Sequence, residues 1–297
     1  MKIFLLALTI TLTLPLFSQD PILTQAYSSG MYLNPALTGE LKGFVANAQY
    51  RNQWPNAAGS YITNLYGLQK RFDKIGLGTG LSFIGDNGGN GTVYTSGIGL
   101  VVSKWFKIND KLALAWGLNS SFYNKVIDLS KLNFSNDIPK DQVSFVNFSS
   151  GLLLKYSLGN TGIALSNFTQ PNESFFEKVT SRLPIRFTIH NTTNYTLIKS
   201  LDFKLAHTIV YHVQGGSYSL NTYFTPQFKW IKLCFGYSFN NSIIAGGGVS
   251  FPRFSLAYIY EPVTSALSQT TGGSHEASLS FRFGNKKEYG DKGSLSF

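Results

Sequence analysis

The chain has 297 residues, of which 13% are charged and 15% aromatic, with 29 Gly and a formal net charge of +10. So little charge over this length argues against a soluble β-sandwich and suits a wall half covered by lipid. Lys and Arg are scattered, many in short turns (KRFDK at 70 to 74, KWFKINDK at 104 to 111), with no basic run or stacking motif; this excludes a nucleic-acid surface and fits turns beside anionic headgroups.

Residues 1 to 18 (MKIFLLALTITLTLPLFS) carry one basic residue, an apolar run, Pro15 and a small residue at Ser18, the layout of a secretory signal peptide cleaved after Ser18. No Cys stands at that point to take a lipid anchor, and no later apolar run reaches the roughly 18 residues of a spanning helix. Residues 19 to 42 (QDPILTQAYSSGMYLNPALTGELK) hold Tyr27, Met31, Tyr32 and Leu33, and Pro21 and Pro35 bracket room for one or two helical turns. The segment is more apolar than a free tail would be. It is expected to dock as a plug or cap at the barrel mouth from the periplasmic side.

From Gly43 onward about fourteen stretches alternate apolar and polar or small residues: roughly 43 to 53, 59 to 70, 75 to 85, 91 to 104, 111 to 123, 145 to 157, 161 to 168, 184 to 197, 200 to 213, 217 to 228, 231 to 239, 242 to 251, 253 to 261 and 275 to 283. In the last, Ala277, Leu279, Phe281 and Phe283 share one face and Glu276, Ser278, Ser280 and Arg282 the other. Ile75, Leu77, Leu81 and Phe83 alternate with Gly76, Gly78, Gly80 and Ser82 in the same way. Period-2 alternation over about 9 to 11 residues predicts tilted strands with lipid on one side and water on the other.

Connections after even-numbered stretches are short (RFDK, FKIND, SLGN, KS, KWI, PR), while several after odd ones are long and polar. The pattern predicts an all-β, antiparallel transmembrane barrel of about 14 strands over 43 to 283, with periplasmic turns, extracellular loops, and a periplasmic tail at 284 to 297. An even count places both termini in the periplasm. Aromatics near stretch ends (Trp54, Tyr61, Tyr94, Trp105, Phe106, Phe122, Tyr156, Tyr195, Tyr211, Phe228, Trp230, Tyr237, Tyr258, Tyr260) read as two interfacial girdles.

About fourteen strands enclose a lumen that is either water-filled or plugged. Its predicted wall is rich in Gly (Gly76, Gly78, Gly80, Gly97, Gly99, Gly117, Gly151, Gly236, Gly246, Gly248), which marks either close approach of another backbone or relief of curvature. Cys234 falls on the inward face with Lys232 and Gly236 and reads as a small lumen residue. Of the four His, His207 and His212 face opposite sides, and His190 faces inward with Arg186 as a wall residue, so no metal site is predicted. No nucleophile, base and orienting partner stand out, and Gly85 to Gly91 (GDNGGNG) lacks the Lys and helix of a phosphate loop, so neither an enzyme nor a cofactor is expected.

Four motifs in order, QAYSSGMYLNPALTG (25 to 39), RNQW before Pro (51 to 55), GLGTGLSFIGDNGG (76 to 89) and GGSHEASLSFRFG (272 to 284), resemble the PorP/SprF family of outer-membrane proteins of the type IX secretion system of Bacteroidota. Asn52 stands where Asp is usual in that family. The resemblance singles out Asn34, Pro35, Arg51, Gln53, Trp54, His275 and Glu276 as family-motif positions. It implies a barrel that partners a secreted protein or adhesin through that protein's type IX C-terminal domain, or that serves the secretion and gliding machinery itself. Candidate partner loops are 124 to 144, 169 to 183 and 262 to 274. The first two carry apolar groups (Val126, Ile127, Leu129, Leu132, Phe134; Phe175, Phe176, Val179) that are costly in water unless they pack on something. The rival reading, a diffusion channel or hydrophobic-solute transporter, calls for clustered lumen charges, whereas the wall charges here are sparse (Lys155, Arg186, Lys204, Arg282).

Overall fold

A computed structural model of the chain describes residues 20–25, 28–133, 139–239, 242–264 and 268–284. The signal peptide, Tyr27, Phe134 and the tail beyond Gly284 lie outside those residues. Side chains two apart on an extended chain share a face, and the alternating stretches become strands: β1 (Phe44–Gln53), β2 (Tyr61–Phe72), β3 (Leu77–Gly88), β4 (Val93–Asn109), β5 (Leu112–Ile127), β6 (Gln142–Tyr156), β7 (Gly159–Ser166), β8 (Arg186–Ile198), β9 (Phe203–Gln214), β10 (Ser217–Phe228), β11 (Ile231–Ser238), β12 (Ser242–Ser250), β13 (Phe254–Glu261) and β14 (Ser274–Phe283). Each pairs antiparallel with the next, and β1 closes on β14 from Phe44↔Phe283 to Gln53↔Ser274. Closure leaves no continuous sheet edge in the membrane, the condition for a β-structure to cross lipid.

The faces follow parity. On β5, Leu114, Trp116 and Leu118 are exposed while Ala115 is fully buried on the lumen side; on β14, Phe281 and Phe283 are exposed while Glu276 and Arg282 are buried. Arg introduced at Leu114 is expected to cost about 2 to 4 kcal/mol in urea titrations in lipid vesicles, a penalty that falls towards the interfaces. Arg at Ala115 should instead be limited by space. Equal, depth-dependent penalties on both faces would contradict this register.

The connections divide the two ends. Among the described residues, 73–76, 110–111, 157–158, 199–202, 229–230 and 251–253 lie at one; 54–60, 89–92, 128–133, 139–141, 167–185, 215–216, 239, 262–264 and 268–273 lie at the other. We refer to these as the short-turn and long-loop ends.

Four local expectations change. Ile75 and Gly76 belong to the turn before β3, where Gly76 takes a left-handed φ of 59°. Trp105 is no girdle residue: it shares inward parity with Val101 and Ser103, and its indole N–H donates to Thr38 O at 3.0 Å. Val126 and Ile127 are wall, since β5 runs on past Tyr123 and pairs Val126 with Gln142. Finally, β4, β5 and β6 have 17, 16 and 15 residues, beyond the need of a spanning strand, so this wall stands tall beside β7 with 8.

Candidate functional site

The lumen is occupied by the chain's own residues 20–25 and 28–42. At the long-loop end the Asp20 carboxylate accepts from Asn167 Nδ2 at 2.6 Å and Gln214 Nε2 at 3.1 Å and lies 3.6 Å from Arg186. Asn167, Arg186 and Gln214 all stand where β7, β8 and β9 meet that rim. The segment then descends to the short-turn end, where Gly39 N donates to Gln69 Oε1 at 2.8 Å and Glu40 meets Lys155 at 3.2 Å. It therefore runs the length of the lumen rather than capping the short-turn mouth. Asp20 and Phe283 lie at opposite ends, so the expectation of both termini on the short-turn side does not hold for the first described residue.

Three anchor points hold the segment. The first crosses the β1/β14 seam. Glu276, 1% exposed, accepts from the backbone N–H of Thr24 (2.8 Å) and Gln25 (2.6 Å), from Gln49 Nε2 and from Arg51 Nη1 (3.0 Å). Arg51 also reaches Glu261 at 3.1 Å and donates to Thr24 Oγ1. Ser278 donates to Gln25 Oε1 at 2.6 Å. A buried ion pair of this kind holds only because the remaining lone pairs and protons also find partners.

The second anchor is Asn34-Pro35. After one helical turn, Gly30–Leu33, Asn34 is extended and its side-chain oxygen accepts from Ala36 N at 2.9 Å, with Pro35 opening a 3-10 turn. Asn34 Nδ2 donates to the carbonyls of Leu152 (3.1 Å) and Ile163 (3.2 Å) and lies 3.0 Å from His190 Nε2. The wall admits this close approach because it bears Gly: a Cβ at Gly117 would strike the Pro35–Ala36 backbone, and at Gly151 or Gly162 the Asn34 side chain. Gly78 and Gly80 make the same room for Thr38 and Met31. Gly236, Gly246 and Gly248 instead crowd neighbouring wall strands, so both reasons for Gly operate in one barrel.

The third anchor is Tyr32, whose hydroxyl donates to Pro21 O at 2.9 Å and whose ring lies 4.8 Å from the Arg186 guanidinium. Leu23, Leu33, Ala36 and Leu37 pack with inward residues including Leu65, Trp105, Leu153 and Tyr223 as one apolar cluster. A cavity of about 40 Å³ remains beside Met31 and Tyr32, and a cleft of about 490 Å³ opens by Ile22, His212 and Tyr218.

Of the family-motif positions, Asn34 and Pro35 meet β5, β6 and β7, while Arg51 and Glu276 meet each other across the seam. Gln53 accepts a long bond from Arg51 Nε at 3.4 Å. Trp54 lies past the end of β1 against Tyr61, and His275 faces outward, 2.6 Å from the Tyr258 hydroxyl. Those last two take no part in the lumen site. Sequence reasoning missed Thr24, Gln25, Gln49 and Glu261; the inward parity of Gln49 with Arg51 was the available signal. Among the described residues no group of three His, Cys, Asp or Glu could hold a metal ion.

Above the rim the two apolar loops are joined. Lys140 N donates to Phe175 O at 2.8 Å, Lys140 pairs with Glu177 at 3.1 Å, and Lys125 with buried Glu173 at 2.7 Å. Phe175 is half-buried; Phe176 and Val179 are exposed.

Among solved structures, a Pseudomonas aeruginosa FadL homologue is similar at 11% identity and a TM-score of 0.50, covering 86% of this chain and 94% of its own. The P. putida toluene transporter TodX is similar at 9% identity and a TM-score of 0.49, covering 85% and 93%. At such identity the first shows the barrel fold alone. No curated protein matches the chain. The family described as type IX secretion system membrane protein PorP/SprF matches residues 16–281, more than half of the chain, and the chain belongs to that family.

Proposed function

We propose that this protein is a non-enzymatic outer-membrane barrel that holds a secreted protein or adhesin at the cell surface, with the long-loop end outside and the short turns in the periplasm. The observation that carries the reading is the joining of Lys140 to the 167–185 loop, which presents exposed Phe176 and Val179 above a lumen filled by the chain's own residues. Long loops are usually functional, and exposed apolar groups on them favour a protein partner. The family supports a secretion setting and hence partners among secretion components. The partner's type IX C-terminal domain as the docking unit, and a link to gliding components, belong to this proposal. A diffusion channel or hydrophobic-solute transporter fits less well, because Leu23, Leu33 and Leu37 pack into the lumen's apolar cluster.

Replacing Phe175 and Phe176 together by Ser is expected to release the partner into the medium while the barrel keeps heat-modifiable migration in the outer membrane. Unchanged surface retention of every secreted protein after both loops are shortened would end the anchoring reading in favour of the channel.

A further inference from the structure

The tall β6 leaves part of its edge without a strand beside it. Its pairing with β7 starts at Ser150↔Leu165, so residues 142–149 have no strand partner on that side. The direction of the backbone groups follows from three bonds. Ile127 N donates to Asp141 O at 2.8 Å, which turns the odd-numbered groups of this line toward β5. Phe168 N donates to Phe148 O at 3.2 Å, and Lys140 N to Phe175 O at 2.8 Å, which turns the even-numbered groups the other way. The N–H and C=O of Gln142, Ser144 and Val146 therefore point into the gap, and among the described residues no backbone bond meets them there.

The 167–185 loop frames this gap without filling it. It touches the β6 line at Phe148 and at Lys140, about 26 Å apart at strand rise. Between those points its contacts go to the inner face, Thr169 to Asn147 and Glu173 to Lys125. The outer edge stays open: Gln142, Ser144 and Val146 are exposed. Val146 stands opposite Phe122, both about half exposed on the outer face, so the open groups begin at the aromatic interfacial level and rise above it. Another unmatched edge at this rim, Ser217–Leu220 of β10, is half as long and is closed by Phe239 N on Leu220 O at 2.9 Å.

Unpaired strand groups near an interface are costly and are a template for an added strand. Resting on the partner-docking reading above, we propose that the secreted protein contributes one short extended strand that pairs with β6 over Gln142 to Val146. Its backbone supplies the bonds, and alternate apolar side chains lie beside Val146 and Phe168. Lys178 and Arg182, exposed on the same loop and in no ion pair among the described residues, favour acidic residues flanking that strand.

Ser144→Pro tests this selectively. The residue's N–H points into the gap, so Pro removes a bond to the incoming strand and blocks its approach while the β5 backbone ladder, made by odd-numbered groups, is untouched; the Ser144 Oγ–Asn124 Oδ1 bond of 3.0 Å is lost in the Pro and Ala variants alike, so Ser144→Ala controls for it. Ser144→Pro is expected to lower surface-retained secreted protein at least tenfold, and Ser144→Ala to leave it at the wild-type level. In the unaltered chain, the amides of Ser144 and Val146 should exchange with deuterium at least tenfold more slowly in native outer-membrane vesicles than in the purified barrel. Full retention with folded Ser144→Pro, or equal exchange in the two preparations, would overturn strand addition. If the Phe175/Phe176 double variant still releases the partner in that case, the docking face stands and only the strand pairing fails; if neither variant releases it, both fall. Should Ser144→Pro not reach the membrane, the exchange comparison decides alone.

Discussion

Glu276→Ala is expected to destabilise the barrel by about 3 to 5 kcal/mol, read as a lower urea midpoint for loss of heat-modifiable migration, because removing a buried carboxylate leaves the buried donors around it uncompensated. Arg51 keeps Glu261 at 3.1 Å, but the N–H groups of Thr24 and Gln25 and the Gln49 amide lose their acceptor inside the wall. Replacing Arg51 and Glu276 together by apolar residues of similar volume should recover part of the loss, since well-packed apolar groups often match a buried pair. A midpoint unchanged by Glu276→Ala would show that the seam cluster contributes nothing to holding the barrel.

Gly117→Val is expected to displace the Asn34-Pro35 step and to raise single-channel conductance above that of the unaltered barrel. The added Cβ would meet backbone, Pro35 C and Ala36 N, which cannot swing aside as a flexible side chain does. Overpacking of this kind costs about 1 to 3 kcal/mol. Gly59→Ala is the control, because an added Cβ there meets open space. If Gly117→Val leaves conductance unchanged in a folded barrel, residues 20–42 do not act as a plug.

The barrel was legible because parity acts locally: Leu114 against Ala115, or Phe281 against Arg282, declares its face without knowledge of any neighbour. What lies inside was not. Glu276 and Arg51 stand 225 positions apart, and nothing in either strand names the Thr24 and Gln25 amides that they serve. The inner segment has no period to follow, since its polar groups answer whichever wall strand lies nearest: Thr24 and Gln25 meet β14, Asn34 meets β6 and β7, and Gly39 meets β2. Gly117 and Gly246 look alike in sequence, yet one accommodates a backbone in the lumen and the other a neighbouring strand. Trp105 misled for a related reason. An aromatic near a strand end usually marks the interface, but here its parity with Ser103 and the Thr38 carbonyl turn it inward.

The seam where the sheet's two ends meet is also where the inner segment is gripped: Gln49 and Arg51 reach from β1, Glu276 and Ser278 from β14, and Thr24 and Gln25 lie between them. A slip of one residue between the closing strands would turn Glu276 from the lumen to lipid and leave those amides without an acceptor. The threaded segment thus works as a jig for its own enclosure, bringing the first and last strands into the one alignment in which both ends of the ring can grasp it, and the closed seam then bars the way by which it could slip out between them.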